Sequence, residues 1–384
     1  MYKNQKVIIS GKEKKPIIFS FFSGSGFLDL GFEKAGFEIR FVNEYYKPFL
    51  DAYKHARDKM NFKEPLYGYH QCSIDDFLKG ESQTNLLNLV KKSQEEALVG
   101  FIGGPPCPDF STAGKHRGRE GENGRLTESY IDTIINNQPD FFLLENVKGL
   151  WKTQKHRVFY NEMKSKLEKS GYILTDTLAN SLEFGVPQYR ERIILFGVKE
   201  TIYPSTKNVS LSEIIDWHKY SNFDSTQVKK ETMWPDKNEF SENSVLVKPK
   251  IINKTLESLT VEYWFKKNSV HQHPNADFFF KPRQGMLKFQ TIPEGDVKGK
   301  SFKRLHRWRY SPTAAYGNNE VHLHPYQCRR ISVAEALSLQ SMPKEFEFPD
   351  TMSLTDMFKT IGNGVPYLLS KSIALCIFHF LNEK

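Results

Sequence analysis

Cys107 stands in the run Gly103-Gly104-Pro105-Pro106-Cys107-Pro108-Asp109-Phe110-Ser111, directly after the apolar residues 98–102. That apolar stretch reads as a short buried strand. The paired glycines and prolines stop it and force a rigid turn. A group presented just past a strand end sits where open α/β sheets bind ligands and keep reactive side chains. As a thiolate, Cys107 would be a nucleophile for covalent catalysis. The competing reading of a single cysteine is a small side chain packed beside a Pro-rich turn. Two acids also close predicted strands, Glu44 after residues 37–42 and Glu145 after residues 140–144. Arg190 and Arg192, within Gln188-Tyr189-Arg190-Glu191-Arg192, are two apart and share one face of an extended strand. The other cysteines, Cys72, Cys328 and Cys376, are scattered and read as packing residues. No CxxC or Cys/His ligand spacing is present, so neither a metal site nor a disulfide framework is expected. A reducing intracellular setting would leave Cys107 free.

The surrounding pattern supplies elements to hold these groups. Residues 16–22 read as a buried strand, and Ser23-Gly24-Ser25-Gly26-Phe27-Leu28 as a Gly-rich turn opening a helix. A second strand follows and ends at Asn43-Glu44. Strand, Gly-rich turn, helix and strand-terminal acid within about thirty residues is nucleotide-binding logic, with the acid placed to hold ribose hydroxyls. The alternative is a tight βα turn that needs glycine only for packing. A helix is predicted over 47–59. Residues 112–126 lack apolar periodicity and are expected to form a mobile loop after Cys107, able to close over a substrate. Residues 172–178 and 192–198 read as the last two strands, a possible hairpin pair. From about 200 to 325 the βα alternation stops, and a separate, less regular domain of unreadable fold is expected. After it come a helix over 332–340 capped by Ser332, a turn at 362–366, and an apolar helix over 367–381 that should pack back on the first domain. The expected division is 1–200, 201–325 and 326–384, the last completing the first.

With 384 residues, 39% hydrophobic and 26% charged, the chain has ordinary globular composition. No stretch carries the roughly 18 apolar residues of a membrane span, and neither a span nor a signal peptide is expected. The net charge of +9 is localised: residues 248–309 hold 14 Lys and Arg against 5 Asp and Glu. A basic segment beside a neutral one is an electrostatic footprint for a polyanion. Trp264, Phe278, Phe279, Phe280 and Trp308 interleave with these charges, and Arg304, His306, Arg307, Trp308 and Arg309 cluster. That mixture suits phosphate contacts with stacking or wedging against bases; a solvated basic face is the bland alternative.

Taken in order, the motifs resemble those of the cytosine-C5 DNA methyltransferases of bacterial restriction–modification systems. Phe22-Ser23-Gly24-Ser25-Gly26 is similar to the family's cofactor loop, and Pro105-Pro106-Cys107 to its nucleophile turn. Glu145-Asn146-Val147 matches the ENV motif, and Gln188-x-Arg190-x-Arg192 the QxRxR motif. Arg329 to Gln340 resembles the segment after the recognition domain, and Gly362-Asn363-Gly364-Val365-Pro366 the closing GNxVP motif. Departures are Ser20 where the family has an acid, Phe27 after Gly26, and Pro108 where Gln is usual. Cys72-Ser73-Ile74 stands in the place of a GDI-like element, so Ser73 or Asp75 would supply the adenine contact.

The resemblance implies an α/β, Rossmann-like methyltransferase domain that uses S-adenosyl-L-methionine, with a smaller target-recognition domain at 201–325. Cys107 would add to C6 of a flipped-out cytosine, and Arg190 would favour its thiolate over the free thiol of pKa about 8.5. Glu145 would donate a proton to N3, Asn146 would orient the loop or the base, and Arg192 would join them. Phe22, Gly24, Ser25, Gly26, Leu28, Glu44, Ser73, Ile74, Pro106, Asn363 and Val365 would form the cofactor site, with Glu44 on the ribose. Ser111, Lys115, Arg304, Arg307 and Arg309 would meet DNA. Double-stranded DNA is the implied substrate, a cognate restriction endonuclease the functional partner, and a cytoplasmic monomer without metal the implied form. A cytosine-C5 RNA methyltransferase, a catalytically silent nucleic-acid binder and an NAD-dependent Rossmann enzyme are the alternatives.

Overall fold

Short apolar runs bounded by glycine, proline or an acid become the strands of one central sheet. They are β1 (Ile17–Phe21), β2 (Glu38–Asn43), β3 (Tyr69–His70), β4 (Val99–Gly103), β5 (Phe141–Val147), β6 (Tyr172–Asn180) and β7 (Glu191–Lys199). The computed structural model describes residues 15–106, 122–203, 210–282, 286–299, 302–314, 316 and 321–382. Cys107, Ser111 and Lys115 lie outside the described residues. The strand order is β3-β2-β1-β4-β5-β7-β6. β1 to β5 pair in parallel, while β7 runs antiparallel between β5 and β6. β1 and β4 are buried at every position, which is why they read as unbroken apolar runs without alternation.

Helices cover both faces. On one, α1 (Phe27–Ala35) contributes Leu28, Phe32 and Ala35 to a cluster with Ile18, Ile102 and Phe196. On the other, α3 (Gly80–Gln94), α4 (Glu122–Asn137) and α5 (Gln154–Lys169) bury Leu86, Val90, Tyr130, Ile134, Phe159 and Leu167 against Phe19, Phe101 and Leu195. Between them in the chain, α2 (Lys47–Lys59) has the predicted bounds. α4 begins at Glu122, so the last residues of the expected 112–126 loop are helical instead. The rest of that loop lies outside the described residues. The strand order reverses at β1 and β4, so the turns that follow these strands flank the switch point where such sheets bind ligands.

The chain leaves these layers later than residue 200. Tyr203, Leu211, Ile215 and Trp217 pack into the α1-side cluster. Beyond them lie short helices, among them α6 (Val261–Lys267), and a two-stranded parallel pair, β8 (Phe302–Arg304) with β9 (Val321–Leu323). Val228, Trp234, Ile252, Leu256, Leu259 and Trp308 form a small core here. Val261, Phe265, Val270 and Leu305 instead share a core with α1, α2 and the C-terminal helices, so this region is fused to the first domain.

The closing segment folds as α7 (Val333–Leu339), α8 (Leu354–Asn363) and α9 (Tyr367–Asn382). Ser332 and Glu335 form a reciprocal cap on α7, as the sequence pattern of Ser with Glu three residues on predicts. By composition residues 354–382 could cross a membrane. The helix breaks before Tyr367, however, and α9 lies across α1. A Cβ at Gly31 would stand 2.1 Å from Ser370 Oγ, and that hydroxyl donates to the Leu28 carbonyl at 2.6 Å. α9 is a core helix.

Candidate active site

The turn between β1 and α1 is built from left-handed residues: φ is 51° at Phe22, 55° at Gly24 and 81° at Gly26. Glycine adopts these values without steric cost, whereas Phe22 stores strain. Three contacts fix the turn, and a fourth fixes the acid that braces it. The Gly24 amide donates to Glu44 Oε2 at 2.8 Å, and Ser25 Oγ meets Thr360 Oγ1 of α8 at 2.8 Å. Arg57 Nη2 donates to the Gly26 carbonyl at 2.8 Å, and the Tyr46 amide donates to Glu44 Oε1 at 2.8 Å. Glu44 therefore braces the turn from the end of β2. Burial raises its pKa, opposed by those amides. Ser23 Oγ is buried and has no partner among the described residues.

The remaining residues expected around a cofactor are distributed as follows. Ser73 caps a single 3₁₀ turn, and its hydroxyl accepts from the Asp75 amide at 3.3 Å. The Asp75 carboxylate is held from α4 by Ser129 Oγ at 2.6 Å and by Arg125. Both groups proposed for an adenine contact thus already have partners. Leu28, Ile74 and Val365 are packed in the core clusters. Asn363 ends α8, and Pro106, the last described residue of the nucleophile turn, is exposed.

On the neighbouring strand, β5 delivers Glu145 toward that turn. A Cβ at Gly104 would lie 2.8 Å from Glu145 Oε2, so only glycine lets the chain pass the carboxyl. Arg192 Nε forms an ion pair with Glu145 Oε1 at 2.8 Å. Burial raises the Glu145 pKa, opposed by Arg192 and then Arg190. Asn146 is also buried; its Oδ1 accepts from the Val147 amide at 2.8 Å, and its Nδ2 has no partner among the described residues.

Arg190 has a structural task that the sequence did not show. It is fully buried and gives Nη1 to the Ala314 carbonyl at 2.9 Å, and Nη2 to the Gly362 and Asn363 carbonyls at 2.8 and 3.4 Å. Those donors cross-link three chain segments through their carbonyls. Gln188 does similar work, donating to the Leu339 carbonyl at 3.2 Å and accepting from the Ala314 amide at 3.0 Å. Of the two arginines, Arg192 is the one that pairs with the acid. Among the described cysteines, burial pushes the Cys72 thiol up to about 11 and the Cys376 thiol up to about 12. Neither has thiolate character.

The basic cluster corrects an expectation. Arg304 is fully buried, donating to the carbonyls of Ile292, His324, Gln327 and Phe289. Arg307 is buried in a two-point pair with Glu294, at 2.8 and 2.9 Å. Neither faces a ligand. Trp264 and Trp308 are buried as well, Trp308 within the small core of this region. Arg309 lines a surface cleft of about 320 Å³ with Tyr189, Lys229, His306 and Tyr310, and pairs there with Glu231 at 2.9 Å.

Sequence reasoning missed the scaffold beneath the cofactor turn. Asp29 is fully buried and accepts from Ser20 Oγ at 2.8 Å and Tyr53 OH at 3.0 Å. Arg57 pairs with Glu33 at 2.9 Å and stacks on Tyr53. The available signal was spacing: Tyr53 and Arg57 are four apart on the buried face of α2.

The profile described as C-5 cytosine-specific DNA methylase matches residues 17–379. Type II methyltransferase M.NmeDI of Neisseria meningitidis serogroup C is 54% identical over 381 residues, covering 99% of this chain and 87% of its own. Type II methyltransferase M.FnuDI of Fusobacterium nucleatum is 31% identical over 372 residues, covering 96% and 95%. In fold, the Dnmt2 methyltransferase of S. pombe is similar with a TM-score of 0.57 at 12% identity, covering 96% of this chain and 99% of that one.

Proposed function

Because the chain belongs to the C-5 cytosine-specific DNA methylases, we propose a division of that reaction among its residues. The activity itself, sequence-specific cytosine-5 methylation of DNA in a restriction–modification setting, follows from the family and its type II relatives. The observation that carries the residue assignment is the buried Glu145 carboxyl, held between Gly104 and Arg192 beside the turn that leads to Cys107.

Cytosine C5 is a weak nucleophile. Addition of the Cys107 thiolate to C6 makes an enamine-like C5 that can attack a methyl group. The electron pair pushed into the ring is stabilised by a proton on N3. Glu145 is the donor, because burial raises its pKa and so favours its protonated form. Asn146, with an unspent amide donor, orients the base or the loop. Loss of the C5 proton and departure of the Cys107 sulfur restore the aromatic ring. C6 is reached only when the base leaves the duplex.

The turn after β1 fits S-adenosyl-L-methionine. A Cβ at Gly24 would meet only Thr360 Oγ1, in ordinary contact at 3.8 Å, Ser23 Oγ lacks a partner among the described residues, and Glu44 stands beside the turn for ribose hydroxyls. When bound, the cofactor supplies the electrophilic methyl group. Phe22, Gly24, Ser25, Gly26 and Glu44 hold it, with Asn363 and Val365 completing the wall.

Lys229 and Arg309, in the cleft beside Tyr189, are placed for DNA phosphates, and Ser111 and Lys115 belong to the same reading. The protein then acts as a monomer on duplex DNA in the cytoplasm, with a paired endonuclease cutting the same sequence when it is unmodified. Base-resolution methylation sequencing of plasmid DNA from cells making the protein tests this. Methylation at one short sequence, lost with Cys107→Ala and strongly reduced with Glu145→Gln, is expected. Full methylation by Cys107→Ala would overturn the nucleophile assignment.

A further inference from the structure

Residues 245–247, Val-Leu-Val, are the one run of three consecutive exposed large apolar residues among those described. Val245 is 95% and Val247 90% exposed, with Leu246 at 39%. Such runs are rare on a protein surface unless something covers them. The run is not a loose loop. On its N-terminal side the Asn243 amide donates to the Tyr326 carbonyl at 2.7 Å. Arg307 clamps Ser244 twice, Nη1 to the carbonyl at 2.6 Å and Nη2 to the hydroxyl at 2.8 Å. On its C-terminal side Lys248 pairs with Glu257 at 2.7 Å, and the Ile252 amide turns back to the Pro249 carbonyl at 3.0 Å. Ile252 is itself buried. The buried Arg307–Glu294 pair, useless for touching a ligand, thus holds the base of an apolar protrusion.

We propose that residues 244–248 form a rigid probe that enters a groove of the target duplex, with Val245 and Val247 as specificity-determining residues that contact the apolar edges of bases, thymine methyl groups foremost. The occupant follows from the charges around the run. Lys250 and Lys254 follow it within seven residues, inside the basic part of the chain, while Lys248 is paired with Glu257 and Glu239 and Glu242 precede the run. Phosphates line both walls of a groove and match that charge, while a second copy of this surface would be repelled by it. Were residues 245–247 fully extended, two side chains two apart would share a face about 6.7 Å apart. Two base-pair rises of about 3.4 Å span nearly the same distance. The inference rests on the DNA methylase reading above.

The test compares wild type, Val245→Ser/Val247→Ser and Lys248→Ala/Lys250→Ala on a duplex carrying the sequence that methylation sequencing identifies. A second set of duplexes replaces each thymine in turn by uracil, which lacks only the methyl group. The valine variant is expected to lose about tenfold to a hundredfold in kcat/KM. Its binding of random-sequence duplex and the salt dependence of that binding stay unchanged. Removing the contacted thymine methyl should cost the wild type a comparable factor and cost the valine variant almost nothing more. The lysine variant should show a shallower salt dependence with the same sequence preference. A valine variant within twofold of wild type in kcat/KM, with the same target sequence, would overturn the proposal. Failure of the wild type to methylate any duplex would instead overturn the reading on which it rests.

Discussion

Replacing Gly104 by alanine tests the carboxyl placement most directly. The added Cβ would lie 2.8 Å from Glu145 Oε2, whereas ordinary contacts begin near 3.4 Å. The carboxyl must therefore retreat by about 0.6 Å. It has little room to do so, since its other oxygen is held by Arg192 at 2.8 Å and the side chain is buried. Overpacking of this kind costs about 1–3 kcal/mol of stability. The larger consequence is chemical. A misplacement on the order of 1 Å costs about a hundredfold in rate, so kcat should fall roughly tenfold to a hundredfold. The cofactor turn hangs from β1, Glu44 and α8, none of which touches Gly104, so S-adenosyl-L-methionine affinity should stay within twofold. Single-turnover transfer of a tritiated methyl group measures the first quantity, and calorimetric titration the second. A variant with kcat within threefold of wild type would refute the claim that the chain passes the acid too closely for any side chain.

Three further outcomes are expected. Arg192→Gln removes the charge that most opposes the burial-driven rise of the Glu145 pKa; the protonated donor then survives to higher pH, and the alkaline limb of the pH–kcat profile should move up, whereas a downward shift would contradict the assignment. Glu294→Ala leaves the Arg307 guanidinium buried without its counter-charge, which costs about 3–5 kcal/mol in urea unfolding, while Arg307→Met/Glu294→Leu should recover most of it; a single variant losing under 1 kcal/mol would show the pair to be relaxed. Arg57→Met removes the donor to the Gly26 carbonyl and should weaken S-adenosyl-L-methionine binding about fivefold or more by titration, with kcat at saturation changed less; equal binding by the variant would mean the turn holds itself.

Much of this arrangement was legible from local pattern. The β1 turn, Glu44 twenty residues after Gly24 and the reciprocal cap at Ser332 and Glu335 each depend on short-range chemistry, and their bounds were close. Arg190 and Arg192 were legible as a pair but not in their division of labour. One reaches across to Ala314, Gly362 and Asn363, contacts more than a hundred residues away that no period encodes. Arg304 and Arg307 misled for a physical reason: arginine in a basic stretch is usually exposed, and only tertiary packing reveals a buried carboxylate or a ring of carbonyls waiting for it. The Asp29–Tyr53–Arg57 scaffold was hidden for the same reason, since polar residues on a buried helix face look like surface until their partners are known.

The hydroxyl of Ser25 meets that of Thr360 across 335 residues of chain. A ribosome adding about 5–20 residues per second needs roughly 20–70 s to cover that distance. During this interval the early strands are already outside the exit tunnel, yet the cofactor turn lacks one of its braces, Arg190 lacks the carbonyls of Gly362 and Asn363, and α1 lacks the helix that covers it. Chains released early by truncation or nicked near residue 350 would therefore carry every catalytic side chain and still be inert. The docking of residues 354–382 against α1 and the cofactor turn is therefore a late, required step of assembly.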